Sequence, residues 1–395
     1  MIEISENFSV LLVHNLYLIR GGEDECFDAE KNLLSSNGVN VIEYVEDNKI
    51  IKHIGLIKTA IQTIWSFTTV KNLKKILQRN KIDIIHVHNF FPIISPSVFY
   101  AAKHAKIPIV FTVHNQRLFC ANGYFLRNQQ ICELCSNKFF NLPAVRYRCY
   151  RNSFFGSLIV SIMQGVHKWI STWNSKVDIF IALTDFSRSK LIQNGIKEKL
   201  IKVKPNFVID EFSQFNFKGT YALFIGRLSE EKGVNILLEA WAELENDISL
   251  KIIGDGNLSE TVDFFCKNHP SVEWLGRQSH DFVMEILSQA KVLIVPSICY
   301  EGMPRAIIEA FSLGKPVIAS RIGGIENMIS EEVGYLVNPG DKNALVNEVR
   351  EFLENKDLVI KKSYAARNEY LNKYTPEKNF DLIMDIYQKA IRKDN

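Results

Sequence analysis

Short, uninterrupted apolar runs recur along the chain, separated by stretches whose apolar residues repeat at helical spacing. Residues 8–13, 82–87, 107–113 and 177–183 have the length and composition of buried strands, and the 3.6-residue patterns between them predict crossover helices. That alternation predicts an α/β fold with parallel sheets. Residues 50–77 place Ile50, Ile54, Ile57, Ile61, Ile64, Trp65, Val70, Leu73 and Leu77 at helical spacing, with Lys52, Lys58, Lys71, Lys74 and Lys75 between them. Such a basic amphipathic helix either covers a sheet or lies on a membrane surface. Residues 117–152 interrupt the alternation, and 154–173 then read as one long apolar helix. After Pro205-Asn206 the pattern starts again, with strands expected at 221–225, 250–253 and 292–295, each ending in a Gly- or Pro-bearing loop. A last helix is expected over 375–392, after the break at Thr375-Pro376.

Length changes the picture by dividing it. A chain of 395 residues is long for one core. The expected divisions are 1–205, with an insertion at 117–152, then 206–374, then the terminal helix in 375–395. Apolar content of 47% and charged content of 23% are those of an ordinary soluble protein. No apolar run reaches the ~18 residues of a membrane span, and the first residues lack the order of a secretion signal, so a cytoplasmic protein is expected. Charge is uneven. Residues 1–205 hold 26 of the 47 basic and 15 of the 44 acidic residues, a net +11 against −8 for the rest. A basic first half suits an anionic partner such as a membrane surface, or is a solvated surface and nothing more.

Candidate chemistry collects where strands end. Glu301 lies in the loop after the 292–295 run and Glu309 follows eight residues later, inside a helix expected to start near Pro304. A helix N-terminus favours an anionic or hydroxyl-rich ligand, and a carboxylate at each edge can accept hydrogen bonds from sugar hydroxyls. Gly226-Arg227-Leu228-Ser229-Glu230-Glu231-Lys232-Gly233 follows another strand. An arginine fork and a lysine point charge suit phosphate oxygens, while the absent Walker pattern disfavours an NTPase. Gly21-Gly22 precedes a helix and is either a simple turn or a place for close phosphate approach. Leu250 to Gly256 and Trp274 to Arg277 are further strand-to-glycine turns. His86 and His88 share a strand face, but with no carboxylate near them in sequence a polar strand end is expected rather than a metal pair. His114-Asn115 follows the next strand, at the edge where α/β sheets bind ligands.

Glu301-Gly302-Met303-Pro304 followed by Ile307-Ile308-Glu309-Ala310, with the Gly226–Gly233 loop upstream, resembles the signature of retaining, nucleotide-sugar-dependent glycosyltransferases of family 4. The resemblance extends over nearly the whole chain. It implies the GT-B fold, two Rossmann-like domains with parallel sheets facing a central cleft, and a terminal helix returning to the first domain. It further implies that Arg227 and Lys232 stabilise the leaving diphosphate and Glu309 holds the ribose. Glu301 with the amides of Gly302, Met303 and Pro304 would orient the sugar. His114 would meet the donor sugar and phosphate, and Gly21, Gly22, Gly226 and Gly254 would line the donor. Many relatives carry His-Asp where this chain has His114-Asn115. The implied reaction moves a sugar to a hydroxyl acceptor with retention and requires no metal. Its usual setting is bacterial surface polysaccharide, capsule, lipopolysaccharide or lipid-linked oligosaccharide synthesis. No nucleic-acid partner is expected. A sugar-nucleotide epimerase or a non-catalytic binding protein are the rival classes.

A subset of the family resembles this chain in a cysteine-bearing insertion. Cys132 and Cys135 form a C-x2-C knuckle, with Cys120 and Cys149 outside it, a spacing that can close a four-thiolate structural zinc site. Four separate thiols or a redox pair remain the alternatives. Cys26, Cys266 and Cys299 stand apart from this group.

Overall fold

The computed structural model describes residues 8–210 and 219–392. Its contacts divide the chain into two compact units. One holds Met1–Phe125, Cys132–Pro205 and Glu377–Asn395, and the other holds Leu126–Ile131 and Asn206–Pro376.

The first unit is built on a six-stranded sheet. Its strands are β1 (Ser9–Leu16), β2 (Asn40–Asp47), β3 (Ile84–Val87) and β4 (Ile109–Val113), then, after the hairpin strands β5 (Leu126–Arg127) and β6 (Gln130–Ile131), β7 (Ile179–Ala182) and β8 (Ile201–Val203). They lie in the order β2-β1-β3-β4-β7-β8, all parallel. Helices on both faces bury the inner strands from two sides, hence the continuous apolar runs. Val10 and Leu12 of β1, Ile84 of β3 and Val110 of β4 pack with Phe27 and Leu34 of the helix Gly22–Ser36, and with Ile383 and Tyr387 of the terminal helix Pro376–Arg392. Burying each such side chain contributes roughly 1.5–3 kcal/mol, so the terminal helix is held to the first unit by its apolar face.

Three expectations differ in detail. The segment 50–77 is not one helix but three, Ile51–Ile54, Leu56–Ile64 and Phe67–Arg79. Gly55 at φ 78° breaks the first junction. At the second, Trp65 is extended and the Ser66 hydroxyl caps the next helix by accepting from Thr69 N at 3.2 Å. β1 runs on to Leu16, which puts His14 and Asn15 inside the strand rather than after it. The 154–173 helix stops at Trp169, and a short helix, Thr172–Lys176, follows Ser171 at φ 55°. In the insertion, regular structure is limited to the β5–β6 hairpin and the helix Leu142–Arg146. Phe125, Asn128, Gln129, Asn137, Arg148, Arg151 and Asn152 all take positive φ there.

The second unit repeats the plan with β9 (Tyr221–Ile225), β10 (Ser249–Ile253), β11 (Val272–Trp274), β12 (Ala290–Val295), β13 (Val317–Ser320) and β14 (Gly334–Val337), ordered β11-β10-β9-β12-β13-β14 and again parallel. Trp241 is buried in its core and donates its indole N–H to Ile248 O at 3.0 Å. In each sheet the strand order reverses beside the central strand, between β1 and β3 and between β9 and β12. Loops diverge at such a point and leave a crevice at the carboxyl ends of the strands. The candidate residues lie at these two places.

Candidate active site

In the second unit, β9 runs into Gly226 and Arg227, and β12 into the loop that carries Glu301. Close backbone packing holds these loops together. A Cβ on Gly254 would sit 1.9 Å from Gly226 O, and one on Gly233 would sit 1.8 Å from Pro296 O, with Gly233 already at φ 73°. Ile298 N donates to Glu231 O at 3.0 Å, and Gly324 N to Glu301 O at 2.8 Å. The result sets Lys232 Nζ 2.6 Å from Glu301 Oε1, an oxygen that also accepts from the Ser297 hydroxyl at 2.8 Å. Burial alone would pull Lys232 down, but the Glu301 carboxylate holds its pKa above the usual lysine range. Arg227 pairs with Glu231 at 2.6 Å and lies close enough to Lys232 to oppose its charge. Two cations and a carboxylate therefore meet at one strand end.

The other donor-side residues surround this group. Pro304 caps the helix Arg305–Ser312, and Met303 is buried, its sulfur accepting from Asn206 N at 3.2 Å. Glu309, buried in that helix, receives the Arg305 guanidinium at 3.3 Å and has His280 at 4.0 Å. Glu301 and Glu309 are thus engaged by different cations.

In the first unit, His114 and Asn115 at the end of β4 line an open pocket with His88, Phe91, Arg117 and Leu118. Arg117 lies over the Phe91 ring at 4.7 Å, its Nε buried without a partner. Asn115 donates to Glu23 Oε1 at 2.6 Å, and the Tyr17 hydroxyl to Glu23 Oε2 at 2.8 Å. Burial raises Glu23, and those two bonds oppose the rise. An aspartate at 115 would face Glu23 with like charge, a physical reason for the amide. Gly21 caps the helix Gly22–Ser36 with an extended backbone, and a Cβ at Gly21 or Gly22 would meet nothing within 4 Å. The fold itself does not demand glycine at either position.

Beneath the pocket lies a buried polar chain that local sequence does not reveal. Glu30 Oε1 is 2.9 Å from His86 Nδ1 and 3.1 Å from His88 Nε2, and Glu30 Oε2 receives Lys204 Nζ at 2.8 Å. Asn379 of the terminal helix accepts from the same ammonium at 2.9 Å. The carboxylate missing near His86 and His88 in sequence is supplied by Glu30, and both imidazoles are buried. Among the described residues, Glu30, His86 and His88 are the one trio of metal-ligand types whose ligand atoms all lie within 4.8 Å of one another. The cation on this carboxylate is the protein's own Lys204. Glu23 and Glu30 lie two helical turns apart on one face, a signal readable in sequence, whereas nothing local marks Lys204 as the neighbour of Glu30.

The four insertion cysteines are thiols. Burial pushes Cys135 up to about 12, and Cys120, Cys149 and Cys132 add to the rise, but no three of the four sulfurs lie within 4.8 Å of one another. Burial also raises Cys120, whose thiol donates to Asn122 Oδ1 at 3.0 Å.

Residues 40–212 match the family described as Glycosyltransferase Family 4, and residues 207–371 match Glycosyl transferases group 1. An uncharacterized glycosyltransferase of Methanocaldococcus jannaschii is 26% identical over 366 residues, 92% of this chain and 90% of that one. The UDP-Gal:alpha-D-GlcNAc-diphosphoundecaprenol alpha-1,3-galactosyltransferase of Escherichia coli is 26% identical over 375 residues, 92% of this chain and 89% of that one. Among solved structures, sucrose-phosphate synthase from Thermosynechococcus elongatus aligns with a TM-score of 0.71 at 16% identity, covering 98% of this chain and 100% of that one. HepE of Anabaena in complex with UDP aligns at 0.68 and 16% identity, covering 96% and 100%. The fold is that of the GT-B structures, with one parallel sheet in each unit. With a family 4 domain followed by a group 1 domain, and glycosyltransferase relatives along most of its length, the chain belongs to the family 4 glycosyltransferases.

Proposed function

We propose that the enzyme transfers a sugar from a nucleoside-diphosphate sugar to a hydroxyl of a lipid-linked saccharide, with retention at the anomeric carbon, beside an anionic membrane. The observation that carries this reading is the meeting of Arg227, Lys232 and Glu301 at the β9–β12 strand ends. In the transfer, the bond from the anomeric carbon to the diphosphate oxygen breaks and a bond to the acceptor oxygen forms on the same face. The acceptor proton passes to the departing phosphate. Negative charge grows on the leaving group, and preorganised cations there are worth most. Arg227 and Lys232 fill that role, Glu301 and the backbone N–H groups of Gly302 and Met303 orient the sugar, and Glu309 takes the ribose hydroxyls. The Escherichia coli relative, by its name, acts on a diphosphoundecaprenol-linked sugar, and HepE has been crystallised with UDP and glucose.

The membrane part rests on a surface of the first unit. Leu56 and Ile57 are each 82% exposed, Ile61 and Phe67 are exposed further along the same segment, and so are Lys52, Lys58 and Lys71. The helix Leu56–Ile64 packs on the helix Phe154–Trp169, which exposes Trp169. Apolar side chains ringed by lysines suit an anionic interface. Among the described residues no helix is long and apolar enough to cross a membrane.

The test is a panel of nucleotide sugars with polyprenyl-diphosphate saccharide acceptors, the product anomer read by NMR. A retained configuration supports the reading, and an inverted one refutes it. Donor turnover without acceptor would favour an epimerase. Vesicle co-sedimentation equal for neutral and anionic lipid at low salt would remove the membrane assignment.

A further inference from the structure

Glu30, His88 and His114 form a hydrogen-bonded chain whose direction can be worked out atom by atom. Glu30 projects from the helix Gly22–Ser36, His88 follows β3, and His114 follows β4. His88 Nε2 lies 3.1 Å from Glu30 Oε1, and His88 Nδ1 lies 3.1 Å from His114 Nε2. Glu30 is ionised: burial alone would raise it, but Lys204, His86 and His88 hold it well below the usual carboxylate range. An ionised carboxylate only accepts, so His88 Nε2 carries a proton toward it. A neutral imidazole has one N–H, which leaves His88 Nδ1 a lone pair. His114 Nε2 faces that lone pair and must donate. His114 Nδ1 is then bare.

We propose that Glu30 and His88 are positioning residues that lock His114 in its Nε2–H tautomer, so that its Nδ1 presents a hydrogen-bond acceptor at the pocket. Such an atom takes a hydrogen bond from a ligand hydroxyl and offers none to a phosphate oxygen. This consequence rests on the proposed glycosyl transfer, with a sugar hydroxyl as the ligand group; the tautomer itself does not.

The surroundings keep both rings neutral. Burial and His86 push His88 down to about 4 against the pull of Glu30. Burial pushes His114 well below the ordinary histidine value, and His88 from β3, His14 from β1 and Lys204 after β8 press in the same direction. Glu30 is the one carboxylate among these causes that opposes them. Asn115, next to His114, spends its amide on Glu23 and leaves the ring alone. The chain is also braced from behind. His86 Nδ1 shares Glu30 Oε1 and lies 2.8 Å from the Tyr387 hydroxyl, and Lys204 holds the other oxygen. The imidazole is thereby oriented by groups that never touch the ligand, as outer-shell partners commonly orient a working histidine.

The test uses the full chain labelled with nitrogen-15 at histidine, without substrate. Long-range proton–nitrogen correlation at pH 7 should show His114 protonated at Nε2 and bare at Nδ1, unchanged down to about pH 5. His88→Leu should release a mixture of tautomers and lower kcat/KM for the sugar donor at least tenfold. His88→Asn, which keeps an acceptor oxygen close to the lost Nδ1, should restore the single tautomer and most of the loss. An Nδ1–H form of His114 in the unsubstituted protein overturns the proposal whether or not the variants fold. The expected tautomer together with full activity in His88→Leu overturns its consequence for the ligand. Loss of glycosyl transfer in every assay, with the tautomer intact, counts against the proposed function and not against the lock.

Discussion

Glu301 and Lys232 receive separate roles from sequence, one on the sugar and one on the phosphate, but the structure joins them. Their 2.6 Å contact is mostly enclosed, with the lysine side chain 25% and the glutamate 13% exposed. In Glu301→Gln the ammonium loses its counter-charge while the Ser297 hydroxyl keeps an acceptor. Removing one partner of a fully buried pair costs about 3–5 kcal/mol. With a quarter of the lysine open to water, the expected loss of stability is about 2 kcal/mol. Burial would also pull the lysine below its usual range once Glu301 no longer holds it up, so the phosphate clamp weakens in the same variant. Nucleotide affinity should therefore fall in Glu301→Gln, contrary to a clean division of roles. Glu301→Gln and Lys232→Met should each lower kcat/KM by roughly two to three decades, about 3–4 kcal/mol. The double variant should lose less than the sum by about 1–3 kcal/mol. Kinetics on all four proteins, with urea unfolding alongside, measures this coupling. Losses that add to within about 0.5 kcal/mol would refute the linkage.

Acidification should weaken the first unit before carboxylates titrate. His88 sits at about 4 in the folded protein, against ~6.5 unfolded, so the unfolded chain takes protons first. Stability should be full above about pH 6.5 and fall by roughly 3 kcal/mol toward pH 4. Glu30, held well below its usual range, adds a loss of the same sign at lower pH. Urea midpoints that stay flat from pH 7 to 4.5 would contradict this. Gly233→Ala forces a Cβ toward Pro296 O at positive φ and should lower Tm on the order of 5–10 °C. Gly22→Ala, with open space around it, serves as the control, and equal Tm values for the two variants would count against the packing argument. We expect one structural zinc on Cys120, Cys132, Cys135 and Cys149, detectable by elemental analysis of protein purified without chelator, with Cys132→Ser lowering Tm. Absence of zinc together with an unchanged Tm in that variant would dismiss it.

The apolar runs alone announce parallel strands, because a strand covered on both faces cannot alternate apolar with polar residues. Val10 to Val13 and Val292 to Ile294, at most 1% exposed, are legible for that reason. The glycine loops at 233 and 254 are legible too, since close backbone approach restricts the residue type locally. Other features belong to the assembled fold. Whether 50–77 is one helix or three turns on Gly55 and on the Ser66 cap, which the apolar spacing passes over. His14 and Asn15 look like the end of a strand, yet lie buried within it, with His14 Nε2 2.8 Å from Asp24 Oδ1. Glu30 meets His88 across 58 residues and Lys204 across 174. Burial makes a partner obligatory for such groups. Which partner it is depends on which strand ends and helix faces the topology brings together, and that information is not local.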